Sequence, residues 1–145
     1  MRQPLYPART EGILMIILLG VITAFAPMSI DLYLPGLPLI EKDFAVSPGL
    51  VQQSLSLFFF GLATGQMIYG PLADRFGRRA PLMAGILLYL AATLVCALAP
   101  SIEILLAGRL VEGFGAAAGP VIARAMVRDI YEGRRAARVM SFVIL

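Results

Sequence analysis

Histidine is absent from the 145 residues, and cysteine occurs once, at Cys96. Without a second cysteine no disulfide closes within the chain, and without histidine no metal cluster is to be expected. Cys96 lies in an apolar run, where the expected role of a lone thiol is packing. Charge is also scarce: 14% of residues are Asp, Glu, Lys or Arg, against 59% apolar, and mean hydropathy is +0.85. Soluble domains carry about 45–50% apolar and about 25% charged residues. One water-facing core cannot hide this much apolar surface, so the solvent is lipid. The net charge of +3 and pI near 9.4 do not point to nucleic acid. The bases lie in short segments between apolar runs, not in a stripe with interleaved aromatics.

A run of about 20 apolar residues crosses a bilayer as a helix. The spacing predicts an all-α membrane protein with four spans, at about 13–34, 48–72, 80–99 and 102–123, and a fifth beginning near residue 137. Pro35 and Pro38 are expected to end the first span, leaving 35–46 as the longest loop. Ser47-Pro48 reads as an N-cap followed by proline at the first helical position of the second. Ser101 opens the fourth, with Glu103 suited to the positive end of its dipole. The first run is too long for a signal-peptide core, lacks a clear cleavage site and precedes three more spans.

Charge asymmetry predicts the orientation. Arg2 and Arg9 precede span one, Arg75, Arg78 and Arg79 join spans two and three, and Arg124, Arg128, Arg134, Arg135 and Arg138 follow span four. Only Lys42, beside Glu41 and Asp43, lies on the other side. The N-terminus and the Arg-rich segments are therefore expected in the cytoplasm, in a multi-pass inner-membrane protein.

Between spans two and three the chain reads Gly70-Pro71-Leu72-Ala73-Asp74-Arg75-Phe76-Gly77-Arg78-Arg79. This resembles motif A of the major facilitator superfamily. Span four carries Arg109-Leu110-Val111-Glu112-Gly113-Phe114-Gly115-Ala116-Ala117, which resembles the family's motif B; relatives often have Gln where this chain has Glu112. Ser29-Ile30-Asp31-Leu32-Tyr33-Leu34-Pro35 and Arg128-Asp129-Ile130-Tyr131 narrow the resemblance to the Bcr/CflA (bicyclomycin/chloramphenicol resistance) branch of drug:proton antiporters. The resemblance implies twelve helices in two six-helix halves, of which residues 1–145 are the N-terminal part. Motif C, expected in the fifth helix, falls beyond Leu145. The resemblance also implies export of small drugs by alternating access, driven by a proton gradient with no cofactor. The implied partners are the lipid bilayer, the drug and the remaining helices of the transporter.

The residues supply their own arguments beside the resemblance. In the basic turn the arginines act as a topology signal, but Asp74 opposes the negative end of a helix dipole and needs a compensating donor. Gly77 suits a left-handed residue in a tight turn. The family suggests a gate here, formed by Gly70, Asp74, Arg75, Gly77, Arg78 and Arg79. Arg124 or Arg128 is expected either to pair with Asp74 and carry this latch to span four, or to lie with Asp129 along the anionic inner leaflet. Arg109 sits about eight residues, roughly 12 Å, into span four, where a charge needs a partner. Glu112 is three residues on and shares its face. The pair is either a neutralising device for insertion or part of proton coupling, with Arg109 setting the proton affinity of a nearby acid. Asp31, four residues after a helix-bending Pro27, is a candidate for binding substrate cation or proton, with a headgroup boundary residue or a structural partner for Arg109 as alternatives. Gly61, Gly65, Gly115 and Gly119 are expected to let helices approach closely. Gln66 and Tyr69 suit hydrogen bonding across helices or a cavity wall, Phe58 to Phe60 core or lipid contact, and Gly119-Pro120 a kink.

Two other functions compete. A membrane-embedded enzyme would draw on Asp31, Glu112 and Asp129, but these lie at different depths and no HExxH or GxSxG motif accompanies them. A small four-helix exporter or scaffold, complete at this length and oligomeric, is the alternative to the transporter; a final apolar run from Val139 to Leu145 argues against it.

Overall fold

The computed structural model describes residues 9–131, 136–137 and 139–141, with backbone alone for 9–13. Its elements are α1 (Arg9–Tyr33), a 3-10 turn (Leu34–Gly36), α2 (Leu37–Phe44), α3 (Pro48–Phe76), α4 (Arg79–Ala97), α5 (Ile102–Ala116) and α6 (Ala118–Ile130). Four stretches are long and apolar enough to cross a bilayer: Leu14–Phe44, Pro48–Phe76, Arg79–Ala97 and Ile102–Ile130. The protein is an all-α membrane protein, and no strand occurs among the described residues.

The expected loop at 35–46 is largely helical. α1 does end at Tyr33, just before Pro35, but no loop follows: Pro35 and Pro38 each fall in the opening positions of a new short element. A proline is tolerated there because those N–H groups have no intrahelical acceptor to lose. α2 closes at Ala45, in the left-handed conformation at φ 51°, with Val46 N–H bonded to Glu41 O at 3.2 Å. Ser47 precedes α3 in extended geometry, but its hydroxyl makes no capping bond; Pro48 has no N–H to offer, and the Ser47 carbonyl accepts from Leu50 at 3.0 Å.

The fourth span is broken into α5 and α6 at Ala117. Pro120 lacks the N–H that would reach Ala116 O, and its ring crowds that carbonyl, so the helix opens one turn before the proline. Ala117 N–H is shared between Gly113 O at 3.2 Å and Phe114 O at 3.3 Å, a tightening of the turn at the break.

α5 packs between α3 and α4, and α6 against α1. Lipid gives no hydrophobic drive for helices to associate, so close backbone approach supplies much of the cohesion. The α3–α5 contact is reciprocal: Gly61 lies against Leu110 O, and Gly113 against Phe58 O. Gly65 faces Phe114 and Ala117, Gly115 faces Tyr89 and Gly85, and Gly119 faces Ile22 O. Around this seam Phe58, Ala117, Ala118, Ile122 and Val127 are buried, while Leu14, Leu32, Phe60, Met67, Met83 and Leu94 face outward, as lipid contact requires. Val139 packs with Leu19, Ala123 and Val127. Residues 136–137 and 139–141 are helical where a fifth span is expected. The rest of that expectation, with Arg2, Arg134, Arg135 and Arg138, lies outside the described residues.

Candidate functional site

The four spans converge on one buried charge pair, toward the end of the bundle opposite the Arg-rich turn. Arg109 and Glu112 are 2% and 3% exposed. They stand one turn apart on α5, and Arg109 Nη1 donates to Glu112 Oε2 at 2.8 Å. The other carboxylate oxygen, Oε1, accepts from Ser29 of α1 at 3.2 Å and lies 3.1 Å from the Thr93 hydroxyl of α4. Cys96 Sγ is 3.8 Å from Oε2, so the thiol is placed on the carboxylate and not only in packing. Side chains of α1, α4 and α5 thus converge on the acid.

Arg109 is held differently. Its guanidinium carbon lies 4.0 Å from the Tyr33 ring centroid and 4.4 Å from that of Phe58. Cations over desolvated aromatic faces gain about 2 kcal/mol or more. Tyr33 is fixed in turn by its hydroxyl, 2.8 Å from Ser54 Oγ. Arg109 Nε and Nη2 are nevertheless buried with no acceptor. The cation has one carboxylate, a long hydrogen bond from Nη1 to Ser29 Oγ at 3.5 Å and two aromatic walls, with bonding capacity left over.

Asp31 is elsewhere. Ser29 and Tyr33, four residues apart, share the inward face of α1; Asp31 falls between them and is exposed. It makes no hydrogen bond or ion pair among the described residues. The reading of Asp31 as structural partner to Arg109 is therefore corrected: Glu112 holds that place.

The second charged cluster lies at the opposite end of the bundle. Arg78 Nη1 meets Asp74 Oδ1 at 2.7 Å, while its Nε and Nη2 form a fork with Asp129 Oδ2 and Oδ1 at 2.9 and 3.4 Å. One guanidinium ties the end of α3 to the end of α6. The hydrogen bonds it donates to Asp129, then to Asp74, raise its pKa above the ordinary arginine value. The expectation that Arg124 or Arg128 pairs with Asp74 is overturned: Arg78, four residues from Asp74, is nearer, and both other arginines face Gln66 and Met140. Gly77 has φ 81° and ψ 168°, not the left-handed helical pair expected but an extended conformation at positive φ that is essentially confined to glycine. The Arg75 guanidinium lies 5.3 Å over Phe76, Arg79 opens α4 exposed, and Gly70 has open space where a side chain would be.

With this geometry in place, the comparison with known families is decisive: the model of the Major Facilitator Superfamily matches residues 19–145. The chain belongs to the major facilitator superfamily. Members of this superfamily are transporters, not enzymes. The chain is 42% identical over 96% of its length to the uncharacterized MFS-type transporter YdgK of Bacillus subtilis, covering 35% of that protein. It is 36% identical over 90% to a bicyclomycin resistance protein homolog of Haemophilus influenzae, covering 33%. It is 35% identical over 89% to a chloramphenicol resistance protein of Pseudomonas aeruginosa, covering 31%. The chain thus spans about a third of the length of these curated relatives.

Within this major facilitator chain, sequence reasoning pairs Arg109 with Glu112 but gives Ser54 and Thr93 no role and Phe58 only a packing one. The signal is present as spacing: Ser29 and Tyr33, Ser54 and Phe58, and Thr93 and Cys96 each lie three or four residues apart in an apolar helix. Each such pair marks a face that has something polar to meet.

Proposed function

We propose that the protein encoded by the complete reading frame is a secondary active multidrug efflux transporter of the Bcr/CflA branch. It exchanges protons for small drugs of the bicyclomycin or chloramphenicol type by alternating access, with the proton gradient as its energy source and no bound cofactor. It resides in the bacterial inner membrane with the N-terminus and the Arg-rich turn in the cytoplasm. The relatives' names support the drug class, and the count of arginines on one side supports the orientation.

The observation that carries the reading is the Arg109–Glu112 pair, buried where all four spans meet. Apolar residues of the same volume would serve stability as well or better, so a charged pair kept inside a membrane bundle is read as functional. A proton arriving at Glu112 removes the charge that holds Arg109. The guanidinium stays between Tyr33 and Phe58 with more donors free than before. Tyr33, Cys96 and Arg109 are the titratable groups that face Glu112 in this sequence of events. Asp31, exposed within an apolar segment, needs either water or further protein against its face. We assign that face to the transport path, with Asp31 as the acceptor for a drug cation or a proton. The Arg78 clasp serves as the cytoplasmic latch, fastening α3 to α6 in one state and opening in the other.

Asp31→Asn in the full-length protein tests the reading. In everted vesicles, drug added to the wild type should release lumenal protons and relieve the quench of a pH-sensitive dye. Asp31→Asn should reach normal membrane levels and give no drug-dependent proton release. Wild-type release by that variant would refute the role given to Asp31.

A further inference from the structure

At the Arg-rich end, Arg78 takes both nearby acids, Asp74 and Asp129. Arg124 and Arg128, one turn apart on α6, are left with no acidic partner among the described residues. They do not point at random. With Gln66 of α3, Val121 and Met140 they line a cavity of about 290 Å³. Two guanidiniums and a carboxamide, all with unused donors, face one space. Clustered donors of that kind select an oxyanion, and arginine's planar fork suits the oxygens of a phosphate.

The order of the lining narrows the ligand. Along α6, Val121 lies nearest the middle of the bundle, Arg124 one turn further out and Arg128 a turn beyond that. Met140 adds a second apolar wall. A phospholipid presents the same sequence of groups along the membrane normal: acyl chain, glycerol, then phosphate. A free phosphate has no use for the apolar part. Basic cavities between membrane helices are suited to anionic headgroups for the same electrostatic reason.

We propose that this cavity is a binding site for the phosphate of an anionic phospholipid, held by Arg124 and Arg128 with Gln66, its glycerol and first methylenes lying against Val121 and Met140. A lipid seated here touches both α3 and α6. It therefore lies beside the clasp that Arg78 makes between the same two helices.

Native mass spectrometry of the full-length protein provides the test, with phosphatidylglycerol, phosphatidylcholine of the same acyl chains, and inorganic phosphate as the three probes. The wild type should retain phosphatidylglycerol in preference to phosphatidylcholine, and millimolar phosphate should not displace it. Arg124→Gln/Arg128→Gln should lower that preference about 30-fold, from the expected attraction of two bases. Arg124→Lys/Arg128→Lys should keep part of it, since charge remains and the fork is lost. Arg79→Gln, a nearby charge change outside the cavity, should leave it unaltered. An unchanged preference in the double Gln variant would overturn the site, as would an equal loss in Arg79→Gln, which would mean diffuse attraction. Displacement by inorganic phosphate would keep the anion site but overturn its lipid occupant.

Discussion

Consider Glu112→Gln, which keeps the shape of the side chain and removes its charge. Arg109 and Glu112 are 2% and 3% exposed, so water does little to screen either. Removing one partner of such a pair costs about 3–5 kcal/mol, because the other charge is left buried and uncompensated. The aromatic faces of Tyr33 and Phe58 stay in place, and a Gln carbonyl still accepts from Arg109 Nη1. The loss should therefore fall near the lower end, about 3 kcal/mol. Arg109→Met/Glu112→Leu removes both charges and fills the space with apolar atoms, which is neutral or stabilising by about 1–4 kcal/mol. The assay is unfolding of the full-length protein by SDS in mixed micelles, followed by circular dichroism. The single variant should unfold earlier than wild type and the double variant at or above it. Drug-driven proton release should be absent from the double variant although it is folded. A single variant within about 0.5 kcal/mol of wild type would place it among ordinary surface changes and refute the claim of a buried, unscreened pair. A double variant no better than the single would refute the pairing.

Gly113→Ala sets a methyl against the backbone of Phe58, where no side chain can swing aside. It should cost about 1–3 kcal/mol in the same unfolding assay, whereas Gly20→Ala, with nothing within 4 Å, should not destabilise. Asp129→Asn breaks an exposed ion pair, which is worth about 0–1 kcal/mol. Its unfolding curve should overlay the wild type, while labelling of a cysteine introduced at the Arg-rich end of α3 should rise if the clasp is a latch; no change in labelling would count against the latch.

The spans were legible because hydropathy over about 20 residues is a property of the chain alone. So was the pairing of Arg109 with Glu112, since a helix sets residues i and i+3 side by side whatever surrounds it. What the sequence hides is which helix faces are turned together. Phe58, Phe59 and Phe60 read alike, yet Phe58 is buried over the Arg109 guanidinium while its two neighbours are exposed. That difference is set by Gly61 and Gly113 on the α3–α5 seam. The expected loop at 35–46 failed for a related reason: α1 ends at Tyr33 as the prolines suggest, but Pro35 and Pro38 then sit where new elements begin, positions at which a proline forfeits no hydrogen bond.

The same seam explains why the two charged clusters behave differently. Near Gly113 the backbones of α3 and α5 approach so closely that Arg109 and Glu112 are sealed from solvent, and each must be answered by groups within the bundle. Beyond the break at Ala117 the helix follows a new course toward α1, and the clasp of Arg78 with Asp74 and Asp129 is left at the surface, the two acids 71% and 52% exposed. Water screens that clasp, so it can open at little cost. Nothing screens the inner pair, so taking away either charge alone leaves the other buried and uncompensated. The chain thus carries two kinds of charged contact, one that parts at little cost and one that does not.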